Sequence, residues 1–258
     1  VAVVAALFFA AISGSGTATV AAMGSILIPA MVAQGYDAGF SSALSAISGS
    51  LGTVIPPSIT FIIYGMITGE SIGDLFLSGI IPGLIFGFML CIMVFIKSKK
   101  NGWKGETQRA SLKEIGRLFL DTIWGLLSPV IVLGGIYSGL FTPTEAAAVA
   151  VVYSLIVGIF IYKELRLAEL KETLFSTAKT TGMILLIIMN AGIFSWVLTQ
   201  QGIAASLTEM ALALTDNKYI MLVIINIVFL CAGCVMDNTS ALYILVPIIM
   251  PIAKALDI

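Results

Sequence analysis

Two short polar breaks interrupt long apolar stretches of this sequence, and their residues are the best placed to do chemistry. The first break is residues 13–16 (SGSG), and the second is residues 237–240 (DNTS). In a membrane, backbone groups freed by a break must find partners within the protein or in a water-filled cavity. Unwound backbone offers carbonyl oxygens to a cation, and the helix that follows presents the positive end of its dipole to an anion. The breaks therefore predict places where a cation or an anionic solute is held.

Side-chain oxygens are concentrated beside these breaks and beside a third one, where Pro56 and Pro57 disfavour one continuous helix. The residues concerned are Ser13, Ser15, Thr17, Thr19, Thr53, Ser58, Thr60, Asn238, Thr239 and Ser240. Hydroxyl and carbonyl oxygens suit a hard cation such as Na⁺. Small residues also serve close helix packing in membranes, so packing is the alternative interpretation for any single Ser or Thr.

Asp237 stands apart from every other charge in its region. No other charged residue lies between Lys218 and Lys254. A carboxylate at the centre of a lipid-embedded helix costs about 2.5–3.5 kcal/mol, so it usually faces a cavity or a partner. The alternative is that both flanking arms cross the membrane and Asp237 only forms a turn at the far surface. An arm of 18 residues reaches roughly 27 Å, so length permits this second interpretation.

Other chemistries find no support in the sequence. A Gly-Ser-Gly loop with Ser15 at its centre resembles that of an intramembrane serine protease, but the chain has no His to act as a base. Cys231 and Cys234 have CxxC spacing, yet no second pair or His completes a zinc site, which favours membrane-buried free thiols. No phosphate-binding GxxxxGK[ST] loop is present. We therefore expect a protein that is not an enzyme and binds no organic cofactor.

Composition predicts a multispanning membrane protein. Of the 258 residues, 59% are hydrophobic and 10% charged, whereas soluble domains carry roughly 25% charged residues. Eleven of the thirteen basic residues fall within residues 97–179, in two short loops. Because nucleic acid binding needs basic residues on a folded polar face, we expect no nucleic acid partner.

The apolar pattern predicts arms and spans separated by polar connections. The arms and spans are residues 1–12, 17–33, 40–67 (unwound near its middle), 75–96, 122–141, 143–162, 181–199, 219–236 and 239–256. Residues 111–121 are predicted to form a separate surface helix, residues 163–179 an interfacial connector and residues 200–218 a mixed polar segment. Thr142, Pro143 and Glu145 together predict a helix start.

Charge and self-similarity together predict an inverted repeat. The two basic loops are separated by two spans and therefore share one side, which the positive-inside rule makes cytoplasmic. Counting outward from them, residues 1–33 enter from the cytoplasm, whereas residues 219–256 enter from outside. A shift of 222 positions superimposes Thr17 on Thr239 and Pro29 on Pro251. Two similar hairpins of opposite orientation are typical of inverted-repeat transporters.

Several motifs in order give the chain a family resemblance. They are SGSGTATVAAMGSILIPAM, GSLGTVIPPSITFIIYG, TGESIGDLFLSGIIPGL, GGIYSGLFTPTEAAAVAVVYSLIVG and VMDNTSALYILVPIIMPIAKAL. Together they resemble the large membrane subunit (M subunit, DctM type) of tripartite ATP-independent periplasmic (TRAP) transporters. The resemblance covers nearly the whole chain. It departs at both ends, where the family's first scaffold helices and its last helices are missing, so we expect a fragment.

The resemblance implies a transporter of the bacterial inner membrane. The expected fold is an all-α polytopic protein with two re-entrant hairpins, discontinuous helices and an elevator mechanism in the lipid bilayer. The expected activity is uptake driven by a Na⁺ gradient, with Na⁺ as the co-transported ion. A periplasmic substrate-binding (P) protein would deliver a small organic anion, such as a dicarboxylate or sialic acid. A small membrane (Q) subunit would enlarge the scaffold.

The resemblance also implies roles for individual residues. Residues 13–16 would form the first hairpin tip, and residues 237–239 the second. One Na⁺ site would combine the first tip with the unwound segment, through Ser13, Gly14, Ser15, Gly52, Thr53 and Pro56. The other Na⁺ site would use the second tip, through Asp237, Asn238 and Thr239. Solute contact is assigned to Ser13, Ser58 and Asp237.

The chain is expected to have four parts, and two alternative functions remain open. Residues 1–96 and 181–258 would carry the two hairpins, residues 97–121 a cytoplasmic basic loop with its interfacial helix, and residues 122–180 scaffold-like spans. One alternative is a Na⁺/carboxylate symporter that works without a binding protein. The other is a membrane enzyme or structural subunit that transports nothing.

Overall fold

The regular structure of the described residues is helical. The computed structural model describes residues 1–103, 111–215 and 217–257. The helices before the gap are α1 (Ala2–Ser13), α2 (Gly16–Ala33), α3 (Ala38–Gly49), α4 (Leu51–Val54), α5 (Ile59–Thr68) and α6 (Ile72–Asn101). Those after it are α7 (Leu112–Tyr137), α8 (Pro143–Ile156), α9 (Leu167–Gln200), α10 (Ile203–Leu214), α11 (Lys218–Gly233) and α12 (Asn238–Ala255). Part of the predicted basic loop, residues 104–110, lies outside the described residues.

Among the described residues, six helices are long and apolar enough to cross a bilayer. They are Gly16–Ala33, Ile72–Asn101, Lys113–Tyr137, Pro143–Ile161, Ala168–Gln200 and Asn238–Ala255. A further pair, Ala38–Val54 and Ile59–Thr68, meets the same criterion when taken together and is bent by 42°. The prediction of an all-α multi-pass membrane protein is confirmed. The discontinuity lies at Pro56 and Pro57, as the sequence predicts.

The chain forms two compact units. The first comprises Val1–Ile62 and Ser71–Leu165, and the second comprises Ile63–Glu70 and Arg166–Ile258. The core of the first unit is supplied by α1, α2, α3, α4 and α6, with Ala10 and Leu51 fully buried. The core of the second unit contains Ile63, Ala191 and Tyr243.

Small residues bring α2 and α3 close together. Ser41, Ser45 and Ser48 are buried on one face of α3. A Cβ atom added to Gly24 of α2 would lie 3.1 Å from the Ser45 hydroxyl oxygen. Small side chains permit such close approach of helix backbones. Packing is therefore the role that the structure supports for this serine face.

The prediction that residues 111–121 and 163–179 form separate elements is wrong. Residues 112–121 continue without interruption into the following span as α7, and residues 167–179 of the second connector do the same as α9. No proline stands at either junction, and a change from polar to apolar residues does not interrupt helical hydrogen bonding. The mixed polar segment also contains a helix, α10, that the sequence pattern did not predict.

The predicted helix start at Pro143 is confirmed. The Thr142 amide donates to the Glu145 carboxylate at 2.8 Å, and the Glu145 amide donates to the Thr142 hydroxyl at 3.3 Å. This reciprocal capping box satisfies two amides that the helix leaves unpaired. Helix α8 passes at its end into a wider π-helical turn, Val157–Ile161.

The two hairpins match in register as well as in sequence. Shifting α2 by 222 positions gives Asn238–Ala255, which are the bounds of α12. The same shift places Ser15 on Asp237, and each of these residues N-caps its helix through its side chain. Pro29 and Pro251 occupy equivalent positions inside the two helices. The structural agreement therefore extends beyond the few identical residues.

The three cysteines are free. Cys91 is half-buried, whereas Cys231 and Cys234 are exposed on the surface of the chain. The sequence predicts membrane-buried thiols, and these two are not enclosed by the described protein.

An aromatic cluster joins the turn after α2 to the end of α6. The Tyr36 and Phe40 rings lie 5.0 Å and 5.1 Å from the Trp103 ring. The Tyr36 hydroxyl oxygen lies 3.2 Å from that of Ser98, which donates to the Trp103 carbonyl at 2.9 Å. The contact brings together two chain segments that the charge pattern assigns to the cytoplasmic side.

We expect Trp103→Ala to lower the free energy of unfolding by roughly 1–3 kcal/mol, because two aromatic pairs and their buried area are lost together. The measurement is thermal unfolding of the full-length permease in detergent. Trp196→Ala is the matched control, because Trp196 is 63% exposed. Equal stability of the two variants would contradict the expectation that the aromatic cluster stabilises the fold.

Candidate functional site

The first tip gathers hydroxyl groups at the start of α2. Gly14 ends α1 in the left-handed region at φ 61°, which a glycine adopts without strain. Ser15 follows as the N-cap of α2. The Ser13 hydroxyl donates to the Ser15 carbonyl at 3.2 Å, and the Ser15 hydroxyl oxygen lies 3.2 Å from that of Thr17. Three hydroxyls and one carbonyl therefore surround the beginning of this helix.

The first tip is docked through backbone atoms onto the broken helix, which consists of Ala38–Val54 and Ile59–Thr68. The Ile59 amide, at the start of α5, donates to the Gly14 carbonyl at 3.1 Å. A Cβ atom added to Gly14 would lie 2.5 Å from the Pro57 carbonyl oxygen. One added to Gly52 would lie 2.7 Å from the Ser15 carbonyl oxygen. Only glycine allows the two interrupted segments to approach this closely.

Two buried hydroxyls donate hydrogen bonds to backbone carbonyls beside the helix breaks. Thr19 is fully buried, and its hydroxyl donates to the Ser15 carbonyl at 2.8 Å. Ser58 is 1% exposed, and its hydroxyl donates to the Thr53 carbonyl at 2.6 Å across the unwound segment. The proton of Ser58 is therefore engaged, and its lone pairs are what remain for another partner. The predicted contact of Ser58 with solute stays a prediction.

The structure brings the predicted residues of the first site together. They are Ser13, Gly14, Ser15, Gly52, Thr53, Pro56 and Ser58, all in the first unit. Their oxygens are hydroxyls and carbonyls, which suit a hard monovalent cation better than a transition metal. Among the described residues, no group of three or more His, Cys, Asp or Glu could hold a metal ion.

The second tip is organised by a single carboxylate. Asp237 Oδ2 accepts from the amides of Thr239 and Ser240 at 3.0 Å and 3.3 Å. Its Oδ1 accepts from the Ser240 hydroxyl at 2.6 Å. A carboxylate offers about four acceptor positions, so these bonds leave it able to accept from or coordinate one more partner. Asp237 and Asn238 are exposed, whereas Thr239 is half-buried.

A cavity beside the second tip contains a residue that the sequence did not single out. It has a volume of about 360 Å³ and lies between α9 and α12 within the second unit. Tyr243 lines it and is 7% exposed. The Tyr243 hydroxyl is buried and has no hydrogen-bond partner among the described residues. One tyrosine in an apolar helix gives no sequence signal of this kind, because only the fold shows what surrounds the hydroxyl.

Comparison with known proteins identifies the family. A family model described as the tripartite ATP-independent periplasmic transporter, DctM component, matches residues 1–258. The chain belongs to this family. Its resemblance to the TRAP large membrane subunit, read from the ordered motifs, is confirmed.

Individual relatives agree with this assignment. The chain is 44% identical over 246 residues to the isethionate TRAP transporter permease protein DctMQ of Oleidesulfovibrio alaskensis, covering 95% of this chain and 39% of that protein. It is 44% identical over 257 residues to the C4-dicarboxylate TRAP transporter large permease protein DctM of Pseudomonas aeruginosa, covering 100% and 60%. It is 36% identical over 256 residues to the sialic acid TRAP transporter large permease protein SiaM of Vibrio cholerae, covering 99% and 60%.

Family membership and the apolar helices together place the chain. It spans less than two thirds of the length of these curated relatives. The relatives are named as transporter permeases, in agreement with the prediction that the chain is not an enzyme. The DctM-family chain is a multi-pass protein of the bacterial inner membrane.

We expect Gly52→Ala to separate the first tip from the broken helix, because the added methyl would meet the Thr19 hydroxyl oxygen at 2.6 Å and the Ser15 carbonyl oxygen at 2.7 Å. Such overpacking costs about 1–3 kcal/mol. Thermal unfolding of the purified full-length permease measures it.

Gly134→Ala serves as the control for this substitution. It adds the same methyl to a helix position with no atom within 4 Å. This change should leave stability unchanged or raise it by up to about 1 kcal/mol. A Gly52 variant as stable as the Gly134 variant would contradict the docking.

Proposed function

We propose that the chain forms part of a permease that takes up a small organic anion together with Na⁺. The observation that carries this proposal is the docking of the first tip onto the broken helix through the Gly14 carbonyl and the Ile59 amide. Interrupted helices that pair with each other are where transporters bind ions and solutes. Membership of the DctM family supplies the context of a solute permease.

The first Na⁺ site is proposed at this docking. Hydroxyls of Ser13 and Ser15 would provide ligands, together with backbone carbonyls at the end of α4 and in the unwound segment that follows it, including those of Gly52 and Thr53. Pro56 is buried in the same segment and has no amide hydrogen, so it leaves the neighbouring carbonyls free of one helical donor. A bound cation would offset the mutual repulsion of these oxygen dipoles, which converge on one place.

The second Na⁺ site is proposed at Asp237, Asn238 and Thr239. Helix α11 has 16 residues and therefore a length of about 24 Å, less than the hydrocarbon thickness of about 30 Å. Although the 18 residues of α12 are long enough for a full span, the short α11 supports a re-entrant hairpin. The carboxylate would then lie within the membrane, where an ion pair with a cation offsets its desolvation.

Transport is proposed to follow an elevator mechanism. The first tip and the broken helix are held together by backbone hydrogen bonding and by glycine contacts, so they would move as one body. Sliding such a body past a scaffold keeps its polar groups paired, whereas opening the tip would expose them to lipid. Na⁺ would bind before the anion, because the bound cation supplies the positive charge that attracts it.

The solute class and the partners are proposed from the family. The relatives' names mention isethionate, C4-dicarboxylates and sialic acid, all of which are organic anions. We infer a small membrane (Q) subunit, with which the name DctMQ agrees. A periplasmic substrate-binding (P) protein would deliver the anion.

Reconstitution of the full-length permease with its small subunit and binding protein tests the proposal. Proteoliposomes should accumulate one of these anions when an inward Na⁺ gradient is imposed, and not when choline replaces Na⁺. Uptake that persists without the binding protein would favour the independent symporter. Absence of flux under every gradient would contradict the proposal.

Asp237→Asn should abolish Na⁺-dependent uptake or reduce it at least about tenfold, because the charge that attracts the cation is lost while the shape remains. Membrane insertion and the amount of purified protein should not change. Glu209→Gln is the control, since Glu209 is exposed on α10 and outside both tips. Undiminished uptake by the Asp237 variant would remove this role.

Ser58→Ala should weaken solute uptake several-fold, because the unwound segment loses the bond to the Thr53 carbonyl and a potential solute contact. The apparent KM for solute is measured across a range of Na⁺ concentrations. Ser25→Ala is the control, because that exposed hydroxyl bonds only within its own helix, to the Ala22 carbonyl. Unchanged kinetics at every Na⁺ concentration would exclude Ser58.

A further inference from the structure

The Ser15 carbonyl oxygen is crowded with hydrogen-bond donors at the first tip. The Thr19 amide donates to it at 3.0 Å, the Thr19 hydroxyl at 2.8 Å and the Ser13 hydroxyl at 3.2 Å. A carbonyl oxygen has two lone pairs, so the two donors of Thr19 are enough to saturate it. The bond from Ser13 is the longest of the three and exceeds the usual O–H···O range of about 2.5–3.0 Å. Ser13 is therefore the weakest of the competing donors.

The bond between Thr19 and the Ser15 carbonyl lies against the broken helix. Thr19 is fully buried in α2. A Cβ atom added to Gly52 would lie 2.6 Å from the Thr19 hydroxyl oxygen and 2.7 Å from the Ser15 carbonyl oxygen. Solvent does not reach the Thr19 side chain, and a buried hydroxyl needs an acceptor within the protein. The Ser15 carbonyl is that acceptor.

A hydroxyl that bonds the carbonyl four residues earlier is common in helices. Thr199 makes the same bond in α9, to the Ser195 carbonyl at 2.9 Å, and is exposed. Thr19 differs from it in two respects, because it is buried at the docking and because its acceptor also receives the Ser13 hydroxyl. The bond of Thr19 thus bears on a residue of the proposed Na⁺ site, whereas that of Thr199 does not.

Ser13 is left loosely held. Besides its long bond to the Ser15 carbonyl, its hydroxyl oxygen accepts from the Ser15 amide at 3.4 Å, which is also long. Ser13 is half-buried, in contrast to Thr19. A hydroxyl with two weak bonds at an accessible position can exchange them for a cation at little cost in free energy. The occupation of the Ser15 carbonyl by Thr19 preserves this freedom.

Loss of the Thr19 hydroxyl would return one lone pair of the Ser15 carbonyl to Ser13. The bond from Ser13 would then shorten from 3.2 Å toward the usual length of about 2.7–2.8 Å. Groups that form a binding site have to stay within roughly 0.5 Å of their productive positions. A Ser13 oxygen drawn about this far into the tip would coordinate a cation less well.

We propose that Thr19 is a positioning residue for the first Na⁺ site. Its hydroxyl holds the Ser15 carbonyl within the helix and thereby keeps the Ser13 hydroxyl available to the cation. Thr19 is inaccessible and does not itself contact the ion. This inference rests on the proposed function and adds to its first site a buried residue that acts through Ser13.

The test compares Thr19→Ser, which keeps the hydroxyl, with Thr19→Ala, which removes it. Both variants lose the methyl group, so the difference between them isolates the hydroxyl. The variants are made in an Asp237→Asn permease, because the second site then lacks its carboxylate and the first site dominates Na⁺ binding. Thr199→Ser and Thr199→Ala form the control pair, since they remove or keep the same kind of hydroxyl at an exposed position.

The readout is the stability of the purified full-length permease. Its thermal unfolding is titrated with Na⁺, with choline keeping the ionic strength constant. The stabilisation by Na⁺ gives an apparent Kd that requires neither solute nor transport.

We expect the apparent Kd for Na⁺ to be about three- to tenfold higher in Thr19→Ala than in Thr19→Ser, which is the change that one hydrogen bond supplies. In a Ser13→Ala background, the two Thr19 variants should no longer differ in their response to Na⁺, because the hydroxyl acts through Ser13. The Thr199 pair should share one Kd. A hydroxyl with a merely structural role would lower the unfolding temperature of Thr19→Ala and leave the Kd unchanged.

Failure of the inference is distinguishable from failure of the proposed function. Equal Kd values for Thr19→Ser and Thr19→Ala would overturn the inference, as would a difference that persists without the Ser13 hydroxyl. A difference of the same size in the Thr199 pair would overturn it as well, because the effect would then belong to any helical threonine. Stabilisation by Na⁺ that is present in the wild type but absent from Asp237→Asn would leave no cation for Thr19 to serve and would also overturn it. Absence of Na⁺-dependent stabilisation in the wild type would contradict the proposed function itself.

Discussion

The structure depends on pairing the backbone groups that its helix breaks set free. In hydrocarbon each unpaired amide or carbonyl costs several kcal/mol, so an interrupted helix is tolerated only when another segment satisfies it. The bond from the Ile59 amide to the Gly14 carbonyl does this for two breaks at once. The second tip achieves the same end within itself, because Asp237 accepts from the first amides of its own helix. Ser15 and Asp237 are equivalent in register, yet only the second brings a charge.

Much of the helical framework was predictable because it depends on local chemistry. Two adjacent prolines disfavour a continuous helix, and a capping box at Thr142 and Glu145 starts one. Both effects act within a few residues. The boundaries of α7 and α9 were not predictable in this way, since a polar segment continues an apolar helix whenever nothing breaks the hydrogen-bonding pattern. Helix α10 was missed because its residues mix polar and apolar types.

The positions of the two helix breaks were predictable, but their geometry was not. The SGSG and DNTS breaks indicated the tips, because each is a run of consecutive polar or small residues within a long apolar stretch. Their pairing is a long-range property: nothing local to Gly14 indicates that its carbonyl meets Ile59. The unpaired hydroxyl of Tyr243 is likewise invisible in the sequence, because a tyrosine at that position fits any apolar helix. Such contacts follow from the packing of whole helices.

In the proposed transporter, both tips lie within the membrane, away from bulk water on either side. Cysteine labelling tests it most directly, with the three native cysteines replaced and single cysteines placed at Ser15 or Asn238. Cysteines at Lys97 and Glu70 serve as references for the two surfaces. We expect slow labelling of the cysteines at both tips, and still slower labelling when Na⁺ and solute are bound. Labelling as fast as at the references, with no effect of Na⁺, would contradict it.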